Sequence, residues 1–376
     1  MDKRIYLCLA HMSGNEMKYI QEAFDTNWVV PLGPNVNAFE EDLEKFVGQN
    51  KRVVALSAGT AAVHLALVAL GVKKDDEVIC QSFTFAASAN PVVYQGATPV
   101  FVDSERETWN MDPELLEVAI KDRIAKTGRK PKAIIPVYLY GMPAKISEIM
   151  EVAERYGIPV VEDSAEGFGS VYKGQVCGTF GRFGVMSFNG NKMITTSGGG
   201  ALICPDEEMK KRVMFFATQA REPMPYYLHK EIGYNYRMSN ICAGIGRGQM
   251  TVAEEHIAHH RHVAAMYARL FEYVDGIDVH LNPGSDFDSN YWLNTITIDP
   301  KKTGTDYEAV RQKLDAAGIE SRPLWKPMHS QPVYKDAPQY VNGVSESLFS
   351  IGLCLPSGPW VSDDDVRKIV KTIIEK

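Results

Sequence analysis

Through the first two thirds of the chain, short apolar runs alternate with longer amphipathic ones. Val53-Val54-Ala55-Leu56, Glu77-Val78-Ile79-Cys80, Thr98 to Val102, Ala133 to Val137, Ile158 to Asp163, Val185 to Phe188 and Gly200 to Cys204 all read as strands. Nearly continuous aliphatic runs of this length suit strands covered on both faces. Between them, Ala61 to Leu70 reads as a helix that Gly71 ends, and about 145–156 reads as another. Buried strands separated by helices predict an α/β fold with a mainly parallel sheet. Beyond about residue 250 the pattern changes. Val252, Ile257, Val263, Met266, Tyr267 and Leu270 place one long helix over Thr251 to Val274. A strand over Tyr291 to Ile298, a helix over Tyr307 to Ala317 stopped by Gly318, and a last helix over Asp363 to Glu375 capped near Ser362 follow. The division predicted is a large domain, residues 1–250, and a small α+β domain, residues 251–376.

Composition narrows the classes of function. The 376 residues carry 40 Lys and Arg against 47 Asp and Glu, a net charge of −7. That balance argues against a protein that coats nucleic acid or an anionic membrane. Hydrophobic residues at 45% and charged residues at 23% exclude a disordered chain. The apolar stretch near Ile5 is too short for a signal peptide, and no stretch approaches the ~20 apolar residues that span a bilayer. Cys8, Cys80, Cys177, Cys204, Cys242 and Cys354 are dispersed, without a C-x-x-C pair. The expectation is a cytoplasmic protein with reduced thiols and no metal site. His256, His259, His260 and His262 cluster on the long helix, but no cysteine or acidic ligand completes a metal set nearby, so they read as a solvated or interface face. Gly244-Ile245-Gly246-Arg247-Gly248 lacks the dinucleotide-binding spacing, and no phosphate loop of the ATPase type occurs.

In an open α/β sheet, ligands bind beyond the carboxyl ends of the strands, so the residues after each run matter most. Ser57-Ala58-Gly59-Thr60-Ala61 opens a helix with small residues, which lets backbone amides approach an anion. Glu162 and Asp163 end another strand, where a carboxylate serves either a site or a helix cap. Lys192 lies between an apolar strand and the glycine-rich Ser197 to Gly200 segment. Burial makes such an amine a usable nucleophile. An anion-binding helix start, a strand-end carboxylate and a constrained lysine together meet the needs of pyridoxal 5'-phosphate. Ser82-Phe83-Thr84-Phe85 offers a ring to stack on it, or a core-packing phenylalanine.

Eight segments, in order, resemble the DegT/DnrJ/EryC1/StrS family of sugar-nucleotide aminotransferases, which have the type I, aspartate aminotransferase-like fold. They are 11–16, 31–34, Ser57-Ala58-Gly59-Thr60-Ala61, Ser82-Phe83-Thr84-Phe85, Glu162-Asp163-Ser164-Ala165-Glu166, Ser187-Phe188-Asn189-Gly190-Asn191-Lys192, Gly233-Tyr234-Asn235-Tyr236-Arg237-Met238, and Arg322-Pro323-Leu324-Trp325-Lys326-Pro327-Met328-His329. The resemblance implies that Lys192 is the cofactor-bearing lysine and Asp163 the partner of the pyridine nitrogen. It implies Gly59, Thr60 and Ser187 for the phosphate, and Phe85 for stacking. Glu166 stands near the pyridine hydroxyl, where the family often has Gln or His. Asn235 matches a residue that reaches the phosphate of a neighbouring subunit, which implies a homodimer with shared sites. Arg322, Trp325, Lys326 and His329 are candidates for substrate contacts, Trp325 also for a domain-interface anchor.

Some relatives carry histidine in place of the lysine and dehydrate their substrates, so Lys192 favours transamination with L-glutamate as donor. The sub-motifs around Lys192 and Trp325 are most similar to those of enzymes that aminate UDP-2-acetamido-2,6-dideoxy-4-hexulose, as in bacillosamine synthesis. The alternatives are a GDP-perosamine synthase-type activity, a 3-keto sugar aminotransferase, and, from another class, a non-catalytic relative that senses a sugar nucleotide. Joint retention of Lys192, Asp163 and Ser187 favours catalysis.

Overall fold

Alternation along each strand sorts the core into two faces. In β1 (Arg52–Leu56), Val53 and Ala55 pack with Phe39 and Leu43 of the helix Pro34–Val47, while Val54 and Leu56 pack with Val63 and Leu67 of the helix Gly59–Ala69. Both faces are covered, so the strand is apolar at every position but its first. β2 (Glu77–Gln81), β3 (Thr98–Val102), β4 (Ala133–Ile135) and β5 (Val161–Asp163) are buried in the same way, with Gln81, Glu162 and Asp163 as buried polar residues at the ends of β2 and β5. A short hairpin, β6 (Val171–Tyr172) and β7 (Gln175–Val176), precedes β8 (Phe183–Ser187) and β9 (Gly200–Cys204). This computed structural model describes residues 4–375.

The C-terminal part supplies β10 (Ile277–Val279), β11 (Phe287–Asp288), β12 (Asn294–Ile298), β13 (Arg322–Pro323), β14 (Gln339–Tyr340) and β15 (Gly352–Leu355). The strand orders β14-β3-β2-β4 and β5-β8-β9-β1 are joined by parallel bridges at Ile134–Val160 and Val137–Asp163. The result is one large sheet in which β9 runs antiparallel to β1 and β8 and the other strand pairs are parallel. A second, antiparallel sheet has the order β10-β12-β15-β13 and packs under the helices Ala253–Phe271, Tyr307–Ala316 and Asp363–Ile374.

The elements anticipated from the sequence are present, with shifted ends. The strand expected from Tyr291 begins at Asn294, because Tyr291 takes a left-handed backbone, φ 49°. The long helix starts at Ala253, and the last helix is closed by a capping box between Ser362 and Asp365. Helices over Glu16–Asp25, Pro34–Val47, Pro113–Thr127, Glu207–Ala217 and Asn240–Met250 were not singled out by the pattern. Three strand or bridge pairings cross the division at residue 250 among the described residues: Ile5 bridges to Ile319, β11 pairs with β6, and β14 extends the edge of the large sheet. All six cysteines are free. Among the described residues, no group of His, Cys, Asp and Glu is placed to hold a metal ion, and no helix is long and apolar enough to cross a membrane.

Candidate active site

A cavity of about 340 Å³ opens beyond the ends of β1, β5 and β8, a size ordinary for a small-molecule site. At one side lies the start of the helix Gly59–Ala69. Ala58, its N-cap, supplies no side-chain cap, and helix geometry leaves the first amides for a bound anion. Ser57, Thr60 and Ser187 add hydroxyls to the same wall. The approach is close: a Cβ on Gly59 would stand 3.0 Å from Cβ of Ser187, and one on Gly200 would stand 2.4 Å from the Gly59 nitrogen. Glycine is required at both positions for β9 and β8 to meet the helix start.

Asp163 ends β5 on the floor and is buried. Ser88 Oγ donates to its Oδ2 at 2.6 Å, and the Ala165 amide donates to its Oδ1 at 3.1 Å. Thr84 Oγ1 lies 2.8 Å from Ser88 Oγ, extending the chain. Burial pushes the Asp163 carboxyl above its usual range, against the hydrogen bonds from Ser88 and Ala165 and the charge of Lys192.

Opposite, Lys192 Nζ lies 3.5 Å from Glu166 Oε1 and 3.9 Å from the ring centre of Trp292. The Tyr140 amide donates to Glu166 Oε2 at 2.7 Å. Burial pushes Glu166 up to about 7, with Asp163 adding to the rise and Lys192 and the Tyr140 amide opposing it. Tyr140 is itself left-handed at φ 56°, a conformation that costs energy in a non-glycine residue. It is used twice, since its hydroxyl also accepts from the Trp325 amide at 2.9 Å.

The structure brings Gly59, Thr60, Phe85, Asp163, Glu166, Ser187, Lys192 and Trp325 into one lining. Phe85 stands 59% exposed at the mouth, its ring 5.4 Å from that of Trp325, so it lines the cavity and is not core, whereas Phe83 is fully buried. Asn235 lies outside this lining, in an adjoining groove that shares Ser57 and Gly198 with the cavity. Arg322, Lys326 and His329 are not in the lining either. Arg322 is exposed and paired with Glu320, and Lys326 is exposed. His329 is buried and shares a 2.6 Å hydrogen bond with Ser82, tying its loop to the end of β2. Ser88, Tyr140 and Trp292 were missed from the sequence. Only Ser88 had a signal: a hydroxyl three residues beyond Phe85, in the segment that follows β2.

The donor set fits pyridoxal phosphate. The open helix start and hydroxyls could hold the phosphate, Asp163 the ring nitrogen and Lys192 the aldehyde carbon. The histidines of the long helix point elsewhere: His260 is fully buried and shares a 3.1 Å contact with the Tyr291 carbonyl, and His256 faces His11 at 3.3 Å.

The sequence pattern of the DegT/DnrJ/EryC1/StrS aminotransferase family matches residues 10–374. EpsN of Bacillus subtilis (strain 168), assigned to the pyridoxal phosphate-dependent aminotransferases, is 48% identical over all of this chain and 96% of its own length. GDP-perosamine synthase of Escherichia coli O157:H7 is 38% identical over 97% of this chain and 96% of its own. Among solved structures, the sugar aminotransferase assignment Spr1654 from Streptococcus pneumoniae, in its PLP-form, superposes with a TM-score of 0.90 at 27% identity, covering 99% of this chain and 98% of that one. Matches that span the whole chain, over a cavity with this donor set, establish that the chain belongs to the DegT/DnrJ/EryC1/StrS family of pyridoxal phosphate-dependent aminotransferases.

Proposed function

We propose that the protein moves an amino group from L-glutamate to a nucleotide-linked 4-keto-6-deoxy sugar, with UDP-2-acetamido-2,6-dideoxy-4-hexulose as the acceptor, for polysaccharide synthesis of the bacillosamine type. The observation that carries the transamination reading is the convergence of Lys192, Asp163 and the open start of the helix Gly59–Ala69 on one cavity. When bound, the cofactor supplies a sink for the charge that develops at the donor's α-carbon. Asp163, fixed on both oxygens, holds a proton at the ring nitrogen. Lys192 Nζ would take up the proton that leaves the donor's α-carbon and pass it to the former aldehyde carbon within the same half-reaction, and would run that transfer in reverse with the keto sugar. Phe85, Trp292 and Trp325 wall the cavity with apolar surface and limit water.

The groove that holds Asn235 is flanked by the exposed Trp28, Val29, Val30 and Leu32. Exposed apolar residues of this extent suit a subunit contact, which supports a homodimer whose partner copy completes the site. A second reading, amination of a GDP-linked 4-keto-6-deoxymannose, draws support from the relative named for GDP-perosamine synthesis.

A panel of UDP- and GDP-linked 3- and 4-keto sugars, assayed with L-glutamate, tests the acceptor. Turnover with the UDP-linked 4-keto sugar alone supports the first reading, and turnover confined to a GDP-linked one replaces it. Lys192→Ala is expected to remove turnover with every acceptor. A variant that keeps full activity ends the transamination reading.

A further inference from the structure

Lys192 is not held by the segment that carries it. Its amine sits between two groups from distant parts of the chain, the Glu166 carboxylate at 3.5 Å and the face of Trp292 at 3.9 Å. A cation over an indole face is attracted by the ring's electron density, and the carboxylate adds charge pairing on the other side. The two jaws are tied together by a single side chain, Asn290, which is fully buried. Its Nδ2 donates to the Glu166 carbonyl at 2.7 Å and to the Phe168 carbonyl at 2.8 Å. Its Oδ1 accepts from the Trp292 amide at 2.8 Å. Its own amide donates to Ser170 Oγ at 3.0 Å, and Ser170 Oγ donates onward to the Gly141 carbonyl at 2.6 Å. Gly141, at φ 97°, has no room for a side chain: a Cβ there would stand 1.9 Å from Asn290 Oδ1. Trp292 is fixed at its other end, because its Nε1 donates to the Asn191 carbonyl, one residue before the lysine, at 2.7 Å.

We propose that Glu166 and Trp292 form a cradle that sets the position of the Lys192 amine, and that Asn290 is the positioning residue that fixes the spacing of its jaws. The proposal deepens the transamination reading and rests on it for its consequence: an amine that must be released, store a proton and return needs a resting place inside the cavity. The titratable groups that face the amine are Glu166 and Asp163 from the end of β5 and Cys8 from the N-terminal segment. Tyr140 and Cys354 face Glu166 from behind. Burial pushes Cys8 up to about 12 and raises Tyr140 and Cys354 as well, so those three are neutral near pH 7. Of the two carboxyls, Glu166 is the one in contact with the amine, and burial pushes it up to about 7. As pH rises through about 7 it becomes anionic and grips the ammonium, and below that pH the grip is released.

The test is peptide-resolved amine labelling of the apoprotein over pH 5.5 to 8.5, with Lys192 read against exposed lysines in the same sample. The relative labelling of Lys192 is expected to fall across about pH 7 in the natural protein and to lose that step in Glu166→Gln. Trp292→Leu is expected to raise it about 3- to 10-fold at every pH, with the step retained and with partial rescue in Trp292→Phe. Asn290→Asp, which keeps the shape but loses both donated bonds, is expected to do the same. A step that persists in Glu166→Gln, or unchanged labelling in Trp292→Leu, overturns the cradle. These outcomes need no turnover, so they stand apart from the Lys192→Ala assay on which the function depends.

Discussion

On the floor of the cavity Asp163 is 5% exposed and bonded through both oxygens, while at the mouth Phe85 is 59% exposed and Lys326 lies free of the lining. The floor is built from strand ends and a helix start, elements locked by the core on either side of the sheet. The rim is built from loops, Phe85 after β2 and Trp325 from the C-terminal part. Chemistry shared by every substrate needs fixed geometry, and a desolvated group held by hydrogen bonds supplies it without reorganisation. Recognition of a particular sugar needs contacts that can differ between relatives, and exposed loops tolerate that change.

The contrast predicts how variants rank. The largest effect belongs to Asp163→Asn, which leaves the floor's shape but removes its charge. The half-reaction with glutamate should slow by about 10²–10³-fold in single-turnover measurement, and an unchanged rate would place the chemistry elsewhere. Gly200→Ala comes next, since its methyl must displace the Gly59 amide. Denaturant unfolding should show a loss of about 1–3 kcal/mol, together with weaker cofactor retention.

Glu166→Gln probes the cost of a buried acid. The folded state holds the carboxyl's pKa at about 7, above its usual 4.5. Between those values the folded protein binds the extra proton, so this group makes stability fall as pH rises from about 4.5 to about 7. Above pH 7 the apoprotein variant should therefore be more stable than the natural protein, by about 1–3 kcal/mol. The two should converge below pH 4.5. A gain that is the same at pH 4 and pH 8 would remove burial of the charge as its cause.

Ser88→Ala takes one hydrogen bond from Asp163 and should weaken cofactor affinity about 5- to 10-fold by equilibrium titration, the worth of roughly one such bond. Smallest is Arg322→Ala. An exposed arginine paired with Glu320 should change stability by no more than about 0.5 kcal/mol and leave the KM for the sugar nucleotide intact. A large rise in KM would show that the rim closes over substrate, and would break the division between a fixed floor and a variable rim.

Much of this was legible from residue order. The strands, the long helix and the large sheet's parallel character follow from periodicity, and the floor residues were found because they lie directly after apolar runs. Trp292 and Asn290 were not legible. Nothing local marks them, because they act on a lysine about one hundred residues away through contacts that only folding creates. His329 and Lys326 show the reverse case. They share a motif with Trp325, yet the turn at Met328–Ser330 directs His329 to Ser82 and leaves Lys326 in solvent.

By itself, then, the sequence determined which segments become strands and helices, and which strand ends carry a carboxylate, a lysine and a glycine-rich helix start. Local sterics and burial on two faces are enough for that. Only the tertiary structure decided that β9 runs antiparallel against β1 and β8, that a C-terminal strand joins the large sheet, and that an indole from beyond residue 250 covers the lysine. Those are long-range choices among packings that the same local pattern allows, settled by how whole faces fit against one another and not by any local signal.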